Sequence, residues 1–172
     1  MRNSILPIIL AIVVFTAFGC QETEKSPTSD KLFTAIGSDY SGVNFINQIK
    51  EDINFHHLNW ESVYNGAGAA TADLDGDGLE DLFFAGNQVS DRIYQNMGNF
   101  KFEDRTDLGP FEENAGWSSG VSIADVNNDG LLDIYVCRLW HSLDTEDQAK
   151  RKNVLYINKG DFKFVESAEA FG

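Results

Sequence analysis

Two nine-residue stretches constrain this chain more than any other feature: Asp73-Leu74-Asp75-Gly76-Asp77-Gly78-Leu79-Glu80-Asp81 and Asp125-Val126-Asn127-Asn128-Asp129-Gly130-Leu131-Leu132-Asp133. Both read D-x-[DN]-x-D-G-x-x-D, and both run directly into apolar, β-prone residues, Leu82-Phe83-Phe84 and Ile134-Tyr135-Val136. Oxygen-bearing side chains crowded this closely repel one another unless a cation sits among them. A hard cation such as Ca²⁺ takes about six to eight oxygens at roughly 2.3–2.6 Å, which a tight turn of carboxylates, amides and a main-chain carbonyl can supply. Gly78 and Gly130 hold the sixth position, where the chain reverses and a left-handed backbone costs a Cβ-bearing residue most.

An EF-hand loop opens the same way, but it closes with a bidentate Glu at its twelfth position and has a helix on each side. Here the twelfth position is Phe84 in one copy and Val136 in the other, and the last carboxylate falls at the ninth, Asp81 or Asp133. The residues that follow are aromatic and β-branched, which suits a strand. The reading is a calcium loop joining two β-strands. The simpler alternative is an Asp/Gly-rich hairpin turn without metal, but a plain turn needs only one or two such residues.

A repeat extends this pattern. Gly68-Ala69-Ala70-Thr71-Ala72 precedes the first loop and Gly120-Val121-Ser122-Ile123-Ala124 the second, an offset of 52 residues. Ile93-Tyr94-Gln95-Asn96-Met97-Gly98-Asn99-Phe100-Lys101-Phe102 matches Leu155-Tyr156-Ile157-Asn158-Lys159-Gly160-Asp161-Phe162-Lys163-Phe164 at an offset of 62, so the second unit carries ten extra residues. Each unit reads as four short strands: a small-residue first strand, the metal loop, an apolar second strand, a third ending in an Asn-x-Gly turn, and a fourth of alternating Phe-Lys-Phe. Four strands per unit of this length mark a β-propeller blade, whose innermost strand has no room for bulk. The fold class is therefore all-β, a partial β-propeller of four-stranded blades with calcium loops between first and second strands. Phe83, Phe84, Tyr135, Val136 and the Phe pairs are expected to fill the faces between blades.

The amino terminus reads differently. Residues 1–19 look like an export signal: Arg2 is a minimal basic region and Ile5 to Phe18 is apolar apart from Thr16, short for a membrane span of about 20 residues. The run ends Ala17-Phe18-Gly19-Cys20, which resembles a bacterial lipobox and makes Cys20 the expected lipidation site; that family usually has Leu at the position of Ala17 and a small residue at that of Phe18. Residues 20–31, polar and holding Pro27, have the composition of a solvated tether. With Cys20 lipidated, Cys137 has no disulfide partner and reads as a small buried hydrophobe. Residues 32–65 carry scattered apolar residues expected to form one or two amino-terminal strands. Adjacent His56 and His57 cannot share a strand or helix face, so no joint metal site is expected there. The blades are assigned to 66–115, with loop 73–81, and 116–172, with loop 125–133. The extra residues fall within Arg138 to Lys152, and Arg138, Trp140 and His141 are the candidate ligand contacts, since loops on a rigid sheet commonly carry binding.

A formal charge of −14 argues against nucleic acid, since little here would neutralise phosphates. No Ser-His-Asp or Cys-His pattern, phosphate-cradling Gly loop or zinc motif is evident, so no enzyme is expected.

With these residues in view, the chain resembles the FG-GAP/VCBS repeat family, the calcium-loop propeller blades of integrin α-subunits and many bacterial surface proteins. Gly116-Trp117-Ser118-Ser119-Gly120-Val121 and Ile157-Asn158-Lys159-Gly160 are similar to bacterial lipoproteins related to cartilage acidic protein, which often carry an ASPIC/UnbV domain. The resemblance implies Ca²⁺ ligands at Asp73, Asp75, Asp77, the carbonyl of Leu79 and Asp81, and at Asp125, Asn127, Asp129, the carbonyl of Leu131 and Asp133. It implies a non-catalytic module of a cell-surface lipoprotein, acting in adhesion or in binding a protein or glycan. The alternative is an accessory glycan- or peptide-binding lipoprotein of an outer-membrane nutrient-uptake system. A lipid anchor would hold the chain at the outer membrane or cell surface. Propellers have about four to eight blades, so further blades are expected in the same longer protein or in other chains.

Overall fold

The computed structural model describes residues 32–112, 116–139 and 152–172. The export signal, Cys20 and the tether, together with Trp140 and His141, lie outside the described residues. Everything below belongs to one compact unit, Ile36–Gly172.

Two four-stranded antiparallel sheets form, each with its strands in chain order. The first contains β1 (Ala69–Ala72), β2 (Asp81–Phe84), β3 (Arg92–Asn96) and β4 (Phe102–Asp104). The second contains β5 (Ser118–Ala124), β6 (Asp133–Arg138), β7 (Val154–Asn158) and β8 (Phe164–Glu166). These are two blades built alike. Ala72 pairs with Asp81 as Ala124 pairs with Asp133, and Leu82 with Tyr94 as Ile134 with Tyr156. The outer hairpins repeat as well. Asn99 and Phe100 have φ of 53° and 58°, Asp161 and Phe162 of 53° and 57°. Two successive left-handed residues give a turn whose twist matches that of the strands it joins.

Strand alternation then decides what each blade buries. One face of the first blade presents Phe83 and Ile93; one face of the second presents Ile134, Val136, Val154 and Tyr156, and all of these meet in one core. Phe111, from the connector between the sheets, is wedged there with its ring centroid 4.8 Å from Tyr156, 5.4 Å from Phe164 and 5.8 Å from Phe83. Edge-on aromatic pairs at such distances contribute about 0.5–1.5 kcal/mol each beyond the area they bury. Nearer the inner strands there is no space at all. A Cβ on Gly68 would sit 2.7 Å from the Val121 nitrogen, so the residue before β1 lies directly on the backbone of β5.

Several expectations change. Phe84 does not face the other blade; it stacks on Phe45 at 5.2 Å, and the Tyr94 hydroxyl donates to Asn44 Oδ1 at 2.9 Å. The strands expected within 32–65 do not form among the described residues. Within that segment, residues 36–65 make helical turns at Ser38–Ser41 and Glu61–Tyr64 and cover the outer face of the first blade through side chains. Its polar groups are met by Asn87 and Gln88 rather than by a strand edge: the Lys50 N–H donates to Gln88 Oε1 and Asn47 Nδ2 to Asn87 Oδ1, each at 2.6 Å. Cys137 is exposed, not buried. It shares its strand face with Tyr135, on the side of β6 turned away from the first blade. Among the Phe pairs, Phe162 and Phe164 are buried but Phe100 is 66% exposed.

Polar ties also cross between the sheets. Asn87 Nδ2 donates to the Ser118 carbonyl at 2.7 Å, and Asp91 is buried where the blades meet. Asp91 accepts from the Gly86 N–H at 2.9 Å, the Tyr156 hydroxyl at 3.1 Å and the Ser118 hydroxyl at 3.4 Å. Burial pushes its carboxyl above the usual range, against those donors and the nearby Arg138 charge, which pull it down. The folded chain thus holds this proton more tightly than the unfolded chain, whose Asp titrates near 3.9. The contribution of Asp91 is fully present below that value and is lost as pH rises through the higher folded one. Asp91→Asn is expected to remove this loss. Urea denaturation across a pH series, with chelator present, should show the variant losing less stability than the native chain above about pH 4; parallel curves would refute the assignment.

Candidate metal centre

Each loop closes a β-hairpin at the same end of its blade, and its ninth residue opens the following strand. Strands leave both loops where an EF-hand would have helices. Gly78 and Gly130 have φ of 90° and 88°, so the sixth position is left-handed in both copies.

In the first loop Asp73, Asp75 and Asp81 each offer a carboxylate oxygen within 4.8 Å of the others. The backbone forces this convergence. Asp73 Oδ1 accepts from Gly76 and Asp77 N–H at 2.7 and 3.1 Å, and Oδ2 from Gly78 N–H at 2.9 Å, so the loop wraps around the first residue. Asp77 is not one of the three; its Oδ1 takes the Leu79 N–H at 2.8 Å. Asp81 is 1% exposed, with Oδ2 accepting from Leu74 N–H at 2.9 Å and Oδ1 from Asn96 N–H at 2.8 Å. One buried carboxylate therefore ties the loop entrance, the head of β2 and the end of β3.

The second loop repeats this skeleton. Asp125 Oδ1 accepts from Asp129 N–H at 3.1 Å and Oδ2 from Gly130 N–H at 2.9 Å. Asp129 Oδ1 takes the Leu131 N–H at 2.9 Å. Asp133 takes Val126 and Asn158 N–H at 3.0 and 2.8 Å. At the position of Asp75 stands Asn127, whose Nδ2 donates to Asp129 Oδ2 at 2.8 Å, so that corner offers an amide oxygen in place of a carboxylate.

All these donors are hard oxygens, and the three converging carboxylates of the first loop could hold a metal ion. Their electrostatics agree. Burial pushes the Asp81 carboxyl up to about 6 and the charges of Asp75 and Asp77 push the same way, while the Asn96 and Leu74 N–H groups oppose them. A divalent ion at the focus would offset that repulsion and favour the ionised form.

Two asparagines carry roles that the sequence shows only as turns. Asn96 Nδ2 donates to the Glu80 carbonyl at 2.7 Å and its Oδ1 accepts from Gly98 N–H, bracing the loop from the next hairpin. Asn158 does the same to the Leu132 carbonyl at 3.1 Å and also reaches the Leu74 carbonyl of the other blade at 2.8 Å. Their recurrence at one register was the available signal. Of the candidate ligand contacts, Arg138 ends β6 beside Gly116, at the opposite end of the blade from the loop of residues 125–133.

Because a proton and a cation compete for Asp81, affinity for Ca²⁺ at the first loop is expected to fall as pH drops through about 6. Calorimetric titrations at pH 7.5 and 5.0 would check this; equal affinities at the two would remove Asp81 from the ligand set.

No curated protein matches the chain. Residues 63–136, a span that holds both loops and runs from ahead of β1 into β6, match the family described as FG-GAP-like repeat.

Proposed function

We propose that the chain is a calcium-stabilised β-propeller repeat module of an exported, lipid-anchored cell-surface protein, working without catalysis in adhesion or ligand binding. The observation that carries this reading is the convergence of Asp73, Asp75 and Asp81 at the β1–β2 turn, inside the span that matches the FG-GAP-like repeat family. Repeats of this kind are typically binding modules rather than enzymes. The residues that would hold calcium are Asp73, Asp75, Asp77, the Leu79 carbonyl and Asp81, with Asp125, Asn127, Asp129, the Leu131 carbonyl and Asp133 as the second set. When bound, the ion supplies charge compensation and coordination, not chemistry. Its effect is to pin each hairpin, and at a free concentration of about 100 times Kd it would stabilise the fold by about 2.7 kcal/mol.

Further blades remain part of the proposal. Phe83 and Ile93 of the first blade are fully buried beneath the second. The corresponding face of the second blade carries Tyr135 at 37% and Val165 at 50% exposure, together with exposed Cys137. An apolar face of that composition suits another sheet.

A second reading, an accessory glycan- or peptide-binding lipoprotein of an outer-membrane uptake system, draws on the aromatic group at the end of the blades away from the loops. Trp117, just ahead of β5, lies 4.3 Å from Trp60 and 5.4 Å from Phe55, all three half-buried. Partly exposed indoles suit the apolar faces of sugars. Glycan arrays on the native chain and on Trp117→Ala would distinguish the two: this reading requires a signal that the variant loses.

The first loop, with four proposed carboxylate ligands, is expected to bind Ca²⁺ more tightly than the second, where Asn127 replaces one. Calorimetry on the native chain should resolve two classes of site. Asp73→Ala should abolish the tighter class and Asp125→Ala the weaker, and calcium should raise the melting temperature of the native chain. Heats and melting curves that calcium leaves unchanged would sink the proposal.

A further inference from the structure

We propose that Gln95 is a positioning residue for the first metal loop, holding the ligand Asp75 by a neutral hydrogen bond that keeps Arg105 off its carboxylate. This rests on the reading of the loop as a calcium site. Gln95 lies on β3 and its side chain reaches the loop, where Nε2 donates to Asp75 Oδ2 at 2.6 Å. Its Oε1 accepts from Arg105 Nε at 2.9 Å. The Arg105 fork closes the chain of bonds on Glu103, with Nη1 and Nη2 each 2.9 Å from a carboxylate oxygen.

The amide has one workable orientation here. A guanidinium only donates and a carboxylate only accepts, so the oxygen of Gln95 must face Arg105 and its nitrogen must face Asp75. The arrangement has an electrostatic consequence. Arginine placed directly on Asp75 would pair with the charge that a cation needs, and Asp75 would be a poor ligand. With Gln95 between them and Glu103 offsetting the guanidinium, Asp75 keeps its charge, while one of its oxygens is tethered from outside the loop. The other oxygen, Oδ1, accepts from the Asp77 N–H at 3.1 Å, so the carboxylate is held at both corners.

The second blade is an internal control within the same molecule. At the repeat offset, Gln95, Glu103 and Arg105 become Ile157, Val165 and Ser167, and the ligand they serve changes from Asp75 to Asn127. All four positions change together. Asn127 has no second carboxylate oxygen for an outside donor to hold: its one oxygen, Oδ1, accepts from the Asp129 N–H at 2.8 Å, and its Nδ2 donates to Asp129 Oδ2 within the loop. The carboxylate thus occurs with the glutamine relay, and the amide occurs with isoleucine.

The test uses the full chain and two probes: Ca²⁺ by calorimetry, and Tb³⁺ by luminescence lifetimes in H₂O and D₂O, which count waters on the bound ion. The tighter class, identified by its loss in Asp73→Ala, is followed in Gln95→Ile and in Arg105→Met. Outer-sphere partners of metal ligands typically govern affinity by about 10–100-fold. Gln95→Ile should weaken the tighter class by about tenfold, add water to its Tb³⁺ and leave the second loop unchanged. It should have no further effect once Asp75→Asn is present. Arg105→Met, which frees the amide but leaves the loop and β3 intact, should weaken the same class by a smaller factor. The inference is overturned if Gln95→Ile binds as the native chain does, or if it weakens both loops equally, or if its effect persists in the Asp75→Asn background. A native chain that binds no Ca²⁺ at the first loop overturns the calcium reading beneath it, a result separate from all of these.

Discussion

A single buried carboxylate in each blade does the joining on which the rest depends. Asp81, and Asp133 in the repeat, stands at the head of the second strand and accepts one N–H from the loop entrance and one from the end of the third strand. Those donors belong to places where the ladder pattern stops, and each would lack a partner if the side chain were apolar. Burying a charge is costly unless it is paired or hydrogen-bonded. The elevated Asp81 carboxyl reflects that cost, and an ion at the loop would lower it. The same group in the first blade therefore organises the hairpin through the backbone and is also one of the three carboxylates that could hold a metal ion.

Leu74 transmits this arrangement from one blade to the other. Its N–H is held by Asp81, its side chain is 2% exposed in the core between the sheets, and its carbonyl accepts from Asn158 on the second blade. The equivalent residue of the second loop, Val126, is 45% exposed. Order in the first loop is therefore coupled to the joint between blades, whereas order in the second stays local. Loops that share one pattern occupy different mechanical settings because only one has a neighbouring sheet against it in the described unit.

The parts legible in the sequence are those whose chemistry is local. Oxygen-bearing side chains packed into nine residues, a glycine at the sixth and an apolar run after the ninth fix a loop between strands without reference to anything distant. The two offsets then place the third and fourth strands. What could not be read depends on which face of a strand meets which neighbour. Cys137 and Val136 differ by one residue, and nothing local says that one is exposed and the other is core. Residues 36–65 were opaque for a related reason, since they cover a sheet by side-chain contact and leave no strand periodicity. Asp91 finds its Tyr156 partner 65 residues away, a pairing visible only once the blades are stacked. Gln95 differs, because comparison with Ile157 at the repeat offset marks it as a place where the two units diverge.

Gly68 and the aromatic core between them set a wedge. Toward the hub, inner strands approach until backbone touches backbone, with no Cβ to spare. Farther out, Phe83, Phe111, Tyr156 and Phe164 hold the same two sheets apart by the breadth of their rings. The difference between those two spacings is an angular increment, and an array that repeated it would curve by that amount at every step. In such an array the increment would be set by the contrast between a missing methyl group at the centre and four aromatic side chains toward the rim.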